Sequence, residues 1–314
     1  MEFDYKDLFG RNYGILNEKE QQRISETKIV IIGDTGTGEV LATLLARCGF
    51  TRFTIAGNGI YRPSDMNRQI GCFSDTVGKN KVDIIAKLLL SINPAIRITT
   101  LHHLPSEAEM DQLIAMNDIA VPAVDDLSYS LLLFRVARKH CIPAILCVPA
   151  GTMGWVSVFT KDSPTPEDVF GIPKLDYPSL VNVMRTREFR CAQYPYVTSG
   201  NWRVQWFFDY FTGKRPLALL CPVEWLAASL AALETVKTAT GRWSPMTAPR
   251  CWYLSKGNVR ASRFSTFVRL HRKLGWALFG SDNGTRMHRL THFIWNKFFK
   301  YLRRQEKNRS RVPQ

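Results

Sequence analysis

With 314 residues and 45% hydrophobic side chains, the chain can bury one large core or two modest ones, so a globular protein is expected and no long stretch needs disorder to explain it. No apolar run reaches the roughly 20 residues of a membrane span, and Met1–Asn12 lacks the apolar centre of a secretion signal, which makes the expected location cytoplasmic. The 7 cysteines are an odd number without a Cys-x-x-Cys pair, which argues against a disulfide framework and a structural zinc site.

The net charge of +15 is unevenly placed. From Lys256 to Gln314, 15 Lys/Arg face only Asp282 and Glu306, a net of +13 that leaves +2 for the preceding 255 residues. Two parts are expected: a near-neutral globular domain over 1–255 and a basic, helical C-terminal extension over 256–314.

Strand and helix patterns alternate from Lys28 to Ala150, as in a parallel sheet covered by helices. Lys28–Asp34 reads as a buried first strand, Thr37–Cys48 as a helix, Arg52–Gly57 as strand two, Lys79–Ile92 as a helix and Arg97–His102 as strand three. A helix over Ser106–Met116, strand four over Asp118–Val124, a helix over Tyr129–His140 and strand five over Ala144–Pro149 follow. Gly154–Thr160 alternates like an antiparallel strand, and the aromatic, Pro-rich stretch to Arg215 has no period and is expected to be a long functional loop. Pro222–Thr240 reads as a helix with Gly241 as its C-terminal cap. The predicted fold is α/β: a Rossmann-like, doubly wound, mostly parallel sheet with an antiparallel extension and a basic helical appendage.

Gly33-Asp34-Thr35-Gly36-Thr37-Gly38 lies between the first strand and the first helix of the sheet, where backbone N–H groups and the helix dipole favour a phosphate. A dinucleotide site would also want an acid after strand two to grip ribose hydroxyls, and that position reads Gly57-Asn58-Gly59. An oxidoreductase reading therefore loses its best support. Downstream come Ser64-Asp65-Met66-Asn67-Arg68-Gln69, then Val77-Gly78-Lys79-Asn80-Lys81, then Val124-Asp125-Asp126 after strand four. Singly, Arg68 and Lys81 read as surface charge, and Asp125-Asp126 ahead of a helix as an N-cap.

Taken in order, and with Arg11-Asn12-Tyr13-Gly14-Ile15-Leu16 and Glu20-Gln21-Gln22-Arg23-Ile24 ahead of them, these segments resemble the ThiF/MoeB/HesA superfamily of ubiquitin-activating-enzyme-like adenylyltransferases. The resemblance covers residues 11 to 160, and extends to Glu234 and Lys237, which match a Glu-x-x-Lys of that family. It implies ATP-dependent adenylation of a carboxylate on a small protein or peptide, with release of pyrophosphate, by a homodimer. Gly33, Gly36, Gly38, Asn58, Asn67 and Asp126 would contribute to the ATP site, Arg68 and Lys81 would contact phosphates, and Asp125 would hold Mg2+. Arg11 would reach into the site of a second subunit.

The sequence also departs from that pattern. The family has an acid at Gly57, which holds the ribose, and another near Gly59; it has Asn where Asp65 and Asp126 stand and Gly where Thr35 stands. Asn58 is left to reach the ribose, and an acid at Asp65 would repel a triphosphate unless it binds metal. The alternative is a catalytically idle family member that binds or holds a partner. Cys191, between Arg190 and Ala192, is the candidate for a second, thioester-forming step, with Arg187 and Arg190 favouring its thiolate.

Arg286–Arg304 reads as an amphipathic helix at about 100° per residue, with Leu290, Ile294, Phe298 and Tyr301 in one sector and Arg289, Lys297, Lys300 and Arg304 in the sector beside it. Its expected partner is an anionic membrane surface or an acidic macromolecule, which would make the protein peripheral to a membrane. Equally, Trp295 and Phe299 would pack on the core and leave the charges to water. His288 and His292 lack a third ligand and suggest no metal site.

Overall fold

The computed structural model describes residues 4–185, 202–211 and 214–264, with Thr266, Leu270, Phe293, Lys297, Lys300, Tyr301 and Arg304 as isolated helical positions beyond them. Two short turns of helix, α1 (Tyr5–Leu8) and the 3-10 turn Gly10–Gly14, lead into α2 (Glu18–Glu26), whose N-terminus is closed by reciprocal bonds between Asn17 and Glu20. The alternating core then runs β1 (Lys28–Ile32), α3 (Gly36–Cys48), β2 (Arg52–Ala56), α4 (Lys81–Ile92), β3 (Arg97–Leu101), α5 (Glu107–Ala115), β4 (Ile119–Pro122), α6 (Leu127–Lys139), β5 (Ala144–Ala150) and β6 (Met153–Phe159). Helices α7 (Pro166–Phe170), α8 (Tyr177–Met184), α9 (Val204–Phe211) and α10 (Cys221–Thr240) follow, then β7 (Arg250–Ser255) and β8 (Asn258–Arg263).

The strands form one sheet in the order β3-β2-β1-β4-β5-β6-β7-β8, parallel from β3 to β5 and antiparallel from β6 to β8. The expected Rossmann-like sheet with an antiparallel extension is therefore the observed fold. Side-chain alternation sorts the core into two layers. Ile29 and Ile31 of β1 join Leu41, Leu45, Ile85 and Ala228 from α3, α4 and α10 on one face. Val30 and Ile32 join Met110, Leu131, Phe134 and Leu180 from α5, α6 and α8 on the other. Register places the ends level: Ile32 stands opposite Ala56 on one side and Pro122 on the other. The loops that leave β1, β2 and β4 must therefore meet at the same carboxyl edge, where crevices form in such sheets.

One expectation is corrected, and one element was not foreseen. The stretch from residue 161 to Arg215 is not a structureless loop: α7 and α8 start at side-chain caps from Thr165 and Asp176, with Pro in the first turn of each, and α9 follows. Short capped helices carry too few turns to show a period in sequence. The β7–β8 hairpin had no expectation at all. It turns on Lys256-Gly257, both at positive φ (50° and 84°), and lengthens the sheet to Arg263; residue 255, the expected domain boundary, falls at that turn. Phe264 then packs edge-on to Phe170. The amphipathic segment 286–304 lies outside the described residues except for its isolated positions, where Lys297 Nζ sits 4.5 Å from the Phe293 ring centre and Phe293 and Tyr301 are exposed. Among the described residues no helix is long and apolar enough to cross a membrane.

Glu234 ties the antiparallel side to α10. Fully buried, it accepts bonds from Lys237 Nζ (2.6 Å), the Met246 N–H (2.6 Å) and the Trp252 indole N–H (2.7 Å). Removing the carboxylate strands three donors, two of them neutral and shielded from water. Glu234→Ala is expected to lower the unfolding free energy by about 3–5 kcal/mol, with Glu234→Gln, which retains an acceptor, losing less. Urea midpoints at unchanged slope measure both.

Candidate nucleotide site at the carboxyl edge

The loop after β1 and the helix it enters can lie where they do only because they carry no side chains at two points. Gly33 has φ +116°, and a Cβ there would overlap the Ala123 carbonyl at the end of β4. A Cβ at Gly38 would come within 2.7 Å of the Ala123 methyl, so α3 lies against β4 more closely than any other residue permits. Thr35 precedes the helix and donates its hydroxyl to the Ala123 oxygen at 2.9 Å, pinning the loop to the sheet. α3 therefore starts at Gly36 with its first N–H groups facing the crevice.

Next to this loop, the 3-10 turn Pro63–Asp65 buries Asp65, which accepts the Arg62 N–H at 3.0 Å. Asp65 holds both expected cations: Lys81 Nζ at 3.1 Å and the Arg68 guanidinium at 3.5 Å. Arg68 also meets a second acid, Glu224 of α10, at 3.5 Å. Glu224 accepts the Thr37 hydroxyl at 3.0 Å, and a Cβ on Gly36 would fall 2.6 Å from its Oε1. A carboxylate thus already occupies the mouth of the glycine loop. Burial pushes its pKa up to about 6, against the pull of Arg68 and Thr37. One turn deeper, Glu39 is wholly buried and accepts the Tyr61 hydroxyl at 2.6 Å and the Gly71 N–H. Desolvation lifts it to about 7 although both donors and Lys81 oppose the shift.

Gly36, Arg68 and Asp125 line one cavity of about 620 Å³, whose far wall is built from α6, β5, β6, α7 and α8 and includes Phe134, Trp155 and Phe170. Solvent reaches Asp125 through the mouth, yet protein crowds its carboxyl enough that desolvation raises its pKa, with Arg68 and Lys81 pulling it down. Lys81 is buried behind Asp65 and joins the group through that acid. Asp126 borders the cavity, but its carboxylate caps α6 by accepting the Ser128 and Tyr129 N–H groups at 2.8 and 3.2 Å. Asn67 is exposed; its amide oxygen accepts Arg68 Nη1 at 2.9 Å. Asn58 is exposed between Gly57 and Gly59. Arg11 is exposed on the Gly10–Gly14 turn and does not line the cavity of its own chain. Cys191 lies outside the described residues. Of the described thiols, burial raises the pKa of Cys48, Cys72, Cys147 and Cys221, and pushes Cys251 up to about 12, so none of these five is primed as a nucleophile.

Sequence reasoning missed Glu224, Glu39 and Asp34. Glu224 is 187 residues from its partner Thr37, and an acid in the first turn of a helix reads simply as a dipole match. Asp34 was read as a loop residue, yet its carboxylate accepts the Gly59 N–H at 2.6 Å, across the gap between the β1 and β2 loops.

A parallel sheet with a glycine loop at its first turn and charged groups at its carboxyl edge defines a Rossmann-like α/β protein. The chain belongs to the ThiF family, whose model matches residues 9–273. It is 25% identical over 180 residues to the tRNA threonylcarbamoyladenosine dehydratase of Bacillus subtilis, covering 57% of this chain and 68% of that protein. It is 27% identical to the molybdopterin-synthase adenylyltransferase of Escherichia coli over 46% of this chain and 59% of that one. The fold is that of E. coli MccB, solved with ATP (TM-score 0.63, 17% identity, 84% of this chain and 74% of that chain). MccB, described as a microcin C7 biosynthetic enzyme, has also been solved with N-formylated MccA (TM-score 0.65, 17% identity, 84% and 75%).

Glu39 makes stability depend on pH. Its folded pKa of about 7 exceeds its ordinary 4.5, so the folded state holds the proton more tightly and stability falls as pH rises from 4.5 to 7. Glu39→Gln abolishes that portion: relative to the variant, the wild type is expected to lose about 2 kcal/mol between pH 5 and pH 8, read from urea midpoints at the two pH values.

Proposed function

We propose that the protein catalyses ATP-dependent adenylation of a carboxylate borne by a small protein or peptide, releasing pyrophosphate. The observation that carries this reading is the convergence of Gly36, Arg68 and Asp125 on one cavity at the carboxyl edge, with Lys81 linked to Arg68 through Asp65. Phosphoryl and adenylyl transfer need little covalent help from a protein; they need positioning and compensation of spreading negative charge. The Thr37 hydroxyl and the Arg68 guanidinium already hold one anion, the Glu224 carboxylate, and together with the backbone N–H groups at the start of α3 they make a donor set that suits a phosphate. Among the described residues no three side chains are grouped to hold a metal by themselves. Asp125 at the cavity mouth fits Mg2+, which is usually bound by one or two carboxylates together with substrate phosphates. The ion would supply positive charge at the transferring phosphate.

In this reading Arg68, backed by Lys81 through Asp65, orients the triphosphate, Asp125 holds the metal, and the carboxylate to be activated enters past the aromatic wall of the cavity. Names of relatives as adenylyltransferases support the reaction class. MccB, solved both with ATP and with MccA, supports a site shared by nucleotide and partner. A homodimer would give the exposed Arg11 a second subunit to reach. One observation favours a second reading, a family member that binds without catalysis: the Glu224 carboxylate stands where a phosphate would meet Gly36. It must move, take a proton or share a cation before a phosphate occupies that place.

ATP–pyrophosphate exchange with candidate peptides tests the proposal. Arg68→Ala and Asp125→Ala are expected to lower the exchange rate on the order of 10²–10³-fold, with thermal melting little changed in the Asp125 variant and lowered in the Arg68 variant, which leaves Asp65 and Glu224 each with one partner fewer. Lys81→Ala should do the same while also lowering stability, because it leaves Asp65 with one partner fewer. Undiminished exchange in the Asp125 variant would overturn the site assignment. Wild-type nucleotide binding without exchange, with exchange appearing in Glu224→Gly, would establish the second reading.

A further inference from the structure

In doubly wound sheets a carboxylate just past the second strand pairs with the hydroxyls of a bound nucleotide's ribose. Here β2 ends at Ala56, and the next three residues are Gly57, Asn58 and Gly59, none of them acidic. The volume beside them is nevertheless filled by a carboxylate. Asp34, from the loop after β1, crosses to the β2 side and accepts the Gly59 N–H at 2.6 Å. A Cβ at Gly57 would lie 2.6 Å from the Asp34 Cγ, and one at Gly59 would lie 2.7 Å from its Oδ1. Any side chain at either position would collide with the carboxylate, and an acid there would also repel it. Neither glycine has positive φ, so backbone conformation does not demand glycine at 57 or 59; the room taken by Asp34 does. The three residues interlock as one unit.

The carboxylate also lies beside the cavity. Asp34 is half-buried and directly precedes Thr35 and Gly36, which line the cavity, and it acts electrostatically on Asp125 and Tyr61. The Gly59 N–H satisfies one of its oxygens. A carboxylate has about four lone-pair sites, which leaves capacity for two neighbouring hydroxyls.

We infer that Asp34 is the ribose-recognising residue of the nucleotide site, delivering from the glycine loop the carboxylate that the second strand lacks, with Gly57 and Gly59 small to admit it. The inference rests on the nucleotide-binding reading of the site. It assigns the 2′ and 3′ hydroxyls of a ribonucleotide to this carboxylate, and so selectivity for ribonucleotides over deoxyribonucleotides. It also removes Asn58, which is exposed, from the main ribose contact.

The test is calorimetric binding of ATP, 2′-deoxy-ATP and 3′-deoxy-ATP, each with Mg2+, to the full chain. Wild type is expected to bind ATP on the order of 10-fold or more tighter than at least one deoxy analogue. Asp34→Ala should weaken ATP by a similar factor while leaving the analogues nearly unchanged, so the ratio collapses towards one. Asp34→Asn, which still accepts from Gly59, should lose part of the ratio with the fold intact by circular dichroism. The relocated pair Asp34→Ala with Gly57→Asp should regain discrimination, whereas Gly57→Asp alone, facing Asp34, should bind ATP worse than wild type. An unchanged ratio in Asp34→Ala, or tighter ATP binding in that variant, would show that the carboxylate fills or blocks the space rather than reading the sugar, and would overturn the inference while leaving the nucleotide site standing. If wild type binds none of the three nucleotides, the reading of the site itself falls, and this inference with it.

Discussion

Every feature of the carboxyl edge depends on how closely the first glycine loop lies on the end of β4. Gly33 and Gly38 both press on Ala123, one against its carbonyl and the other against its methyl, and Thr35 adds a hydrogen bond to the same carbonyl. A single methyl group at either glycine would lift α3 away from the sheet. Because β1, β2 and β4 end level, that lift would carry the helix N-terminus out of the plane in which Arg68, Asp125 and Glu224 converge. Packing density near that of a crystal leaves no slack to absorb it.

Charge is the second constraint. Around the loop, Asp34, Asp65, Asp125 and Glu224 stand against Arg68 and Lys81, and the one acid that touches both cations, Asp65, is nearly buried. Such a site has more negative than positive charge before any substrate arrives. Desolvation by the surrounding protein raises the pKa of Asp125, and of Glu224 to about 6, against the pull of Arg68 on both. A polyanion entering here would need a cation with it, which is the physical reason the proposed reaction includes a metal. The Glu39–Tyr61–Gly71 cluster beneath the site carries the same tension in a drier place.

How much was legible depended on whether the signal was local. Strands β1 to β6 and the helices between them announced themselves through buried β-branched runs and 3.6-residue periods, and their observed ends lie within about two residues of the expected ones. Gly241 was readable as a cap and sits at φ +68°. The β7–β8 hairpin was silent because β8 is exposed along nearly all its length and so carries no apolar alternation; its one cue was Lys256-Gly257, a weaker turn signal than Asn-Gly. Arg68, Lys81 and Asp125 were found through the resemblance of their segments, taken in order, to the ThiF/MoeB/HesA pattern; singly each had an ordinary reading as surface charge or a helix cap. Asp34, Glu39 and Glu224 were not, since an acid in a glycine loop, inside a helix or in a first helical turn has an ordinary local explanation.

The sequence by itself determined the doubly wound sheet, the position of its glycine loop and the set of charged segments at its carboxyl edge, because strand periodicity and right-handed crossovers leave a parallel β-α-β chain few other arrangements. Tertiary structure alone decided which charges meet: that Asp65 holds two cations, that Glu224 returns from the far end of the chain to the mouth of the loop, and that Asp34 occupies the space vacated at Gly57 and Gly59. Those pairings are set by distances of 2.6–3.5 Å, all but the Asp65–Arg68 contact between groups distant in sequence, and a pattern of residue types along a chain carries no information at that scale.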